Sequence, residues 1–204
     1  MAAPPASEAP VEAERTLLRP AQRAAACAAF GRGPRVGRVT DISLRAATES
    51  DRTYIERLFF LTEVWGDEEK PVRPTFVGEL ERYVHSWDEG QGGFIAMDAH
   101  GIPAGGLWMR RGDNPSLAAD YLPDDDVLEI LLAVEHRFRG RGIARLLIAA
   151  AERYALDHEM EKVSLIVENG NDGARALYEQ LGYRLVNTVA EKGFFIMQKR
   201  VALP

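Results

Sequence analysis

From Val127 to Val134 the chain is apolar at every position except Glu129, and it then runs through Arg139-Gly-Arg-Gly-Ile-Ala144 into a helical pattern. An apolar run without alternation is expected of a strand buried on both faces at the centre of a sheet. From Gly142 to about Asp157 the residues Ile143, Leu146, Leu147, Ala150 and Tyr154 recur at helical spacing, and Lys162 to Val167 returns to aliphatic and β-branched residues. The segment therefore reads as a βαβ unit, with a glycine-bearing bend between the buried strand and its helix.

Around this unit the chain alternates between strand and helix patterns. Ile42, Leu44 and Ala46 alternate with polar neighbours, and Thr48-Glu-Ser-Asp51 supplies capping residues for a helix with Tyr54, Ile55, Leu58 and Phe59 on one face. A second helical stretch is expected around Phe76 to Trp87, after the break at Pro71 to Pro74. Gly93 to Asp98 and Pro103 to Arg110 flank the turn Ala99-His-Gly-Ile102, the pattern of a hairpin, and a loop with Pro115 and Pro123 follows. Asn171 or Asp172 can cap a further helix that turns Ala174, Leu177, Tyr178 and Leu181 inward and closes at Gly182. A final strand is expected over Gly193 to Val201.

Residues 1–40, rich in Ala, Pro, Arg and Glu, read as an N-terminal appendage, flexible or partly helical over Ala21 to Ala29, ahead of a domain at 41–204. Their early acidic residues and lack of a basic n-region argue against a secretory signal. At 204 residues the chain suits one domain with such an appendage. No apolar run is long enough to span a bilayer, so no membrane association is expected. Asp and Glu outnumber Lys and Arg by 31 to 25, which argues against broad binding to nucleic acid. The single Cys27 fits a reducing, cytoplasmic setting, and His85, His100, His136 and His158 lack ligand spacing, so no metal is expected.

The glycine bend lies where a helix start leaves several N–H groups without intrahelical partners, and such a start attracts anions. Gly140 and Gly142 let the backbone approach a diphosphate closely, while Arg139, Arg141 and Arg145 add positive charge in an acidic protein. A nucleoside-triphosphate loop would need Lys and then Ser or Thr after the last glycine, where Ile143 and Ala144 stand. A dinucleotide fingerprint would need a third glycine, where Arg145 stands. An ordinary tight turn with solvated arginines accounts for the glycines but not for three arginines around one helix start.

With these residues in view, the sequence resembles the GNAT-type N-acetyltransferase superfamily. Its coenzyme motif runs Arg or Gln, two residues, Gly, one residue, then Gly or Ala, and Arg139, Gly142 and Ala144 stand in that register. Leu132-Ala-Val134 is similar to the family's splayed central strand, and Asn171…Ala174…Leu177-Tyr178-Glu-Gln-Leu-Gly-Tyr183 to its second signature. Glu135 departs from the Pro that many members carry after the strand. The likeness spans roughly Ile42 to Val201 and is sharp between Val127 and Tyr183. It implies an α/β (α+β) fold with a mixed, mainly antiparallel central sheet, splayed central strands and helices on both faces. It also implies acetyl-CoA as co-substrate. Amides of Arg139, Gly140, Arg141, Gly142, Ile143 and Ala144 would hold the pyrophosphate. The backbone of Leu132, Ala133 and Val134, with Asn171, would meet the pantetheine arm.

The implied reaction is transfer of an acetyl (acyl) group to a primary amine. An amine with a pKa of about 10.4 is protonated at neutral pH and must lose a proton before attack. Glu129, alone in its apolar strand, is the leading base; a strand residue facing a loop or solvent is the other reading of it, and Glu168 is the second candidate. Tyr178, placed by the second signature, is the expected acid for the departing thiolate, its alternative a core aromatic. His136 reads as a surface residue. Glu63, Trp65 and Trp87 are candidates to line an amine cleft, although ordinary core and surface roles suit them too. The acceptor, a small molecule or a peptide amine, is left open, and a homodimer would follow if exposed strand edges pair. The rival reading is a non-catalytic acetyl-CoA sensor.

Overall fold

The computed structural model describes residues 41–111 and 127–201. The N-terminal appendage, the helix expected over Ala21 to Ala29, Cys27 and the loop with Pro115 and Pro123 lie outside the described residues. Among the described residues seven strands form one sheet: β1 (Ser43–Ala46), β2 (Gly93–Met97), β3 (Pro103–Arg111), β4 (Val127–Val134), β5 (Lys162–Glu168), β6 (Arg184–Val189) and β7 (Phe194–Arg200). Their spatial order is β1-β2-β3-β4-β5-β7-β6. Only β4 and β5 run parallel, because a helix rather than a tight turn carries the chain between them. The mixed, mainly antiparallel architecture is as expected.

Helix α1 (Arg52–Glu63) begins after a 3-10 turn at Glu49–Asp51, where Thr48 and Asp51 form a reciprocal capping box. Helix α2 (Phe76–Leu80) continues into a single π turn at Glu81–His85. Helix α3 (Ile143–Asp157) links β4 to β5, and α4 (Asp172–Gln180) follows β5. The Asn171 side chain accepts from the Ala174 amide at 3.3 Å, and Gly182 takes the left-handed conformation past the helix end, with φ 90°. Both signals stand where the sequence puts them.

Strand β4 is buried from both sides because its alternate residues meet different helices. Leu128 and Ile130 pack with Ile143, Leu147 and Ile148 of α3, whereas Leu131 and Ala133 pack with Leu58 and Phe59 of α1. Burying an aliphatic side chain of this size contributes about 1.5–3 kcal/mol. The central strand and its two helices thus make a rigid frame for whatever lies at the carboxyl end of β4.

Candidate functional site

Strands β4 and β5 pair only over Val127–Lys162, Leu128–Val163 and Glu129–Ser164. Beyond that rung they part, although β4 runs on to Val134 and β5 to Glu168. Strand β3 stays paired with β4 as far as Gly105–Val134, so the main-chain groups of Leu132 to Val134 that face β5 have no strand to bond. A cavity of ≈ 670 Å³ fills this wedge, with Leu132, Ala133 and Val134 on one wall and Ile166 and Val167 on the other. Such a volume suits a slender organic ligand.

At the mouth of the wedge the chain turns through a 3-10 turn, His136–Phe138, into the glycine bend. Gly140 and Gly142 have φ of 73° and 78°, a region open to glycine at no steric cost. Gly142 is the N-cap of α3 and has no side chain to offer the first-turn amides. The Arg139 amide, by contrast, donates to the His136 carbonyl at 3.2 Å. Its guanidinium turns back to the Trp65 carbonyl at 2.9 Å and the Val134 carbonyl at 3.2 Å. Arg145 donates to the Gln180 side chain, and the Arg141 guanidinium lies 5.2 Å from the centre of the Phe138 ring. Arg139 therefore ties the loop after α1 to the end of β4, and the amides open to a ligand begin at Gly140.

The other end of the cavity is acidic. Arg73 donates to Glu63 at 2.8 Å and 2.6 Å and reaches Glu79 at 3.1 Å and Glu168 at 2.7 Å, one cation among three carboxylates. The Trp65 indole N–H donates to Glu168 at 2.9 Å. Burial pushes the Glu168 carboxyl up, against the charge of Arg73 and the indole hydrogen bond, while Glu63 and Glu79 raise it further. For Glu63 burial also raises the carboxyl, but hydrogen bonds from the Arg73 side chain and amide outweigh it and leave the group below the usual carboxylate range. Glu129 is buried, 6 % exposed, and lines the cavity from the last paired rung.

Tyr178 projects from α4 into the same cavity and packs edge-on against Tyr183, ring centres 6.0 Å apart. Burial pushes its hydroxyl up to about 12. A phenol so placed keeps its proton until a strong base appears beside it. One cavity thus joins a run of main-chain amides, a strand edge, a buried carboxylate and a protonated phenol.

Residues 53–183 match the sequence model of the Acetyltransferase (GNAT) family. The chain belongs to the GNAT acetyltransferase family. A mycothiol acetyltransferase of Nocardiopsis dassonvillei is 29% identical over 109 residues, covering 53% of this chain and 32% of that protein. An acetyltransferase of Pectobacterium atrosepticum is 38% identical over 58 residues, 28% of this chain and 41% of that protein. The alignments thus span about a third of the first relative's length and about two fifths of the second's. Among solved structures, a GCN5-related N-acetyltransferase from Kribbella flavida superposes with a TM-score of 0.58 at 22% identity, covering 78% of this chain and 98% of that one. An acetyltransferase of the GNAT family from Listeria monocytogenes gives 0.58 at 19% identity, over 78% and 94%. These likenesses carry the GNAT fold.

Within the GNAT frame the structure gathers Glu129, Leu132, Ala133, Val134, Gly140, Gly142, Ala144, Asn171 and Tyr178 around one cavity, together with Glu63, Trp65 and Glu168. Trp87 takes the ordinary core role open to it: it is 1 % exposed and its indole N–H donates to the Gly92 carbonyl at 3.0 Å. His136 is exposed on its turn, the surface role expected of it. Among the described residues no group of three or more His, Cys, Asp or Glu could hold a metal ion, and no helix is long and apolar enough to cross a membrane. The sequence reading passed over Arg73, Glu79, Arg57 and Arg110. Arg57 holds Glu135, the residue that stands in place of Pro, through two hydrogen bonds of 2.8 Å. Arginines in a helix, a loop or a strand carry no local pattern that names their partners, which lie 6 to 95 positions away in these cases.

Proposed function

We propose that the protein transfers an acetyl group from acetyl-CoA to a primary amine by direct attack. The observation that carries this reading is the parting of β4 and β5 just past Glu129, which opens a cavity from the glycine bend to an acidic end. Amides from Gly140 to Ala144 hold the diphosphate. The pantetheine arm lies in the wedge along Leu132 to Val134 as a short extra strand, bonding to main-chain groups there other than the Val134 carbonyl, which Arg139 holds, with Asn171 alongside. The amine enters from the side of Glu63, Glu79 and Glu168, whose charges exceed that of Arg73 and attract a cation.

Glu129 takes the proton from the amine, whose lone pair then bonds to the thioester carbon. The tetrahedral adduct gives up its second nitrogen proton to solvent and collapses, the carbon–sulfur bond breaks, and the sulfur takes the hydroxyl proton of Tyr178, which solvent restores as Glu129 sheds the proton it took. Products are the amide and free coenzyme A. Burial of the wedge keeps water from competing for the thioester.

The acceptor class is tested by a thiol-release screen of acetyl-CoA against small amines, amino acids, aminoglycosides, peptides with free N-termini or lysines, and mycothiol-related amines, the last prompted by the relatives' name. Release of thiol with one class and not the others identifies the acceptor. Binding of acetyl-CoA with no release across the panel would replace catalysis by a sensor.

A further inference from the structure

On the sheet face beneath α1 and α2, one rung is polar across four strands. Arg110 on β3 stands opposite Glu129 on β4, Glu129 opposite Ser164 on β5, and Ser164 opposite Gln198 on β7. The next pairs on that face are apolar, Trp108 with Leu131 and Ile166 with Ile196. Arg110 is 1 % exposed, as deeply buried as the hydrophobic core around it. Its guanidinium is held from the other side by the helical segment above it. It donates to the Arg82 carbonyl, to the Ser86 hydroxyl at 3.0 Å, and its carbon lies 5.2 Å from the centre of the Tyr83 ring.

A guanidinium in such a place is costly unless a negative charge answers it. Burial works against the charged form of Arg110, and the charge of Glu129 is the leading counterweight. The dependence is mutual. A carboxylate buried at the foot of an apolar wedge would take up a proton and cease to be a base, unless a fixed cation stood beside it. Among the described residues the other charged and titratable groups lining the cavity are Glu63 from α1, Glu79 and Tyr83 from the α2 segment, Arg73 from the loop between them, Glu168 from β5, Arg139 from the bend, Arg145 from α3 and Tyr178 from α4. Arg82 adds its charge near Arg110. Of these cations Arg73 is engaged with three carboxylates, and Arg110 is the one on the strand next to Glu129.

We propose that Arg110 is a positioning residue for the acetyl transfer, holding Glu129 ionised and aimed into the cavity from the neighbouring strand. The proposal rests on the reading of Glu129 as the base. It needs no contact between Arg110 and either substrate, so the charge acts through Glu129 alone.

The test is the pH dependence of kcat/KM for thiol release, with one amine, in the wild type, Arg110→Gln, Arg110→Lys and Glu129→Gln. The amine's own titration is common to all four and cancels in the comparison. Arg110→Gln should move the limb on which activity rises with pH upward by about one unit, the lower end of the effect of a nearby opposite charge. At a pH below that limb kcat/KM falls about tenfold, with KM for acetyl-CoA unchanged. Arg110→Lys should bring the limb back towards the wild type, which a merely structural role would not do. If Arg110→Gln does not fold, Arg110→Met, which fills similar space, replaces it. A folded neutral variant with an unshifted limb overturns the proposal while leaving Glu129 as the base. Full activity in Glu129→Gln overturns the assignment of the base itself, and the role of Arg110 falls with it.

Discussion

At Gly142 the backbone enters α3 with φ 78°, and any side chain there is strained whatever room surrounds it. Gly142→Val is expected to cost about 1–3 kcal/mol in strain and to weaken acetyl-CoA binding at least tenfold by calorimetry; unaltered affinity would remove the bend as the diphosphate seat. Tyr178→Phe should lower turnover in the thiol-release assay while calorimetry finds acetyl-CoA affinity nearly unchanged, and a variant of full activity would take the phenol out of the mechanism. The same residue bears on stability. Its hydroxyl is pushed up to about 12 by burial, whereas an unfolded tyrosine ionises near 10. The raised value means that the native state keeps a proton which the unfolded chain gives up, so stability is full below about pH 10 and falls from there towards about 12. Tyr54 and Tyr183 are shifted the same way. Urea unfolding between about pH 8 and 11, a range that brackets that onset, should show the loss beginning near 10 and made shallower by Tyr178→Phe.

Between elements, the loop after α1 is joined to β5 by two side chains, Trp65 and Arg73, that both reach Glu168. Arg73 also holds Glu63, which lies below the usual carboxylate range in the native state. A lowered value stabilises the fold above the unfolded carboxylate range and is lost as pH falls through the native value. Arg73→Met should therefore reduce stability at neutral pH, with a smaller further loss on acidification than the wild type shows; equal acid sensitivity in both would mean that the pair contributes nothing. Strand β6 illustrates why an element escapes pattern reading. Arg-Leu-Val-Asn-Thr-Val has no clean alternation, a register shift between Leu185 and Asn187 breaks its pairing with β7, and Leu185 and Val186 are 46% and 45% exposed. An edge strand buries little, so its residues need no two-residue period. The hairpin of β2 and β3, by contrast, is nearly all buried, and turn and strand signals agree there.

For the molecule as a whole, binding of acetyl-CoA to the folded state alone should raise Tm, by about 2.7 kcal/mol of added stability at a hundred times Kd. A panel of CoA derivatives that left Tm unmoved would refute the coenzyme reading. Local order along the chain settled the strand at Val127 to Val134, the bend at Gly140 and Gly142, the Asn171 cap and the helix bearing Tyr178, because apolar period, caps and positive φ leave marks within a few residues. It could not show where β4 and β5 part, since pairing is a relation between segments more than thirty positions apart. Nor could it show that Trp87 turns to the core while Trp65 turns to the cavity, or that Arg73 gathers three carboxylates and Arg110 faces Glu129 across the sheet. Charge and hydrogen bonding act through space, so the partners of a buried ion are decided by the packing of strands and helices and have no local imprint in the order of residues.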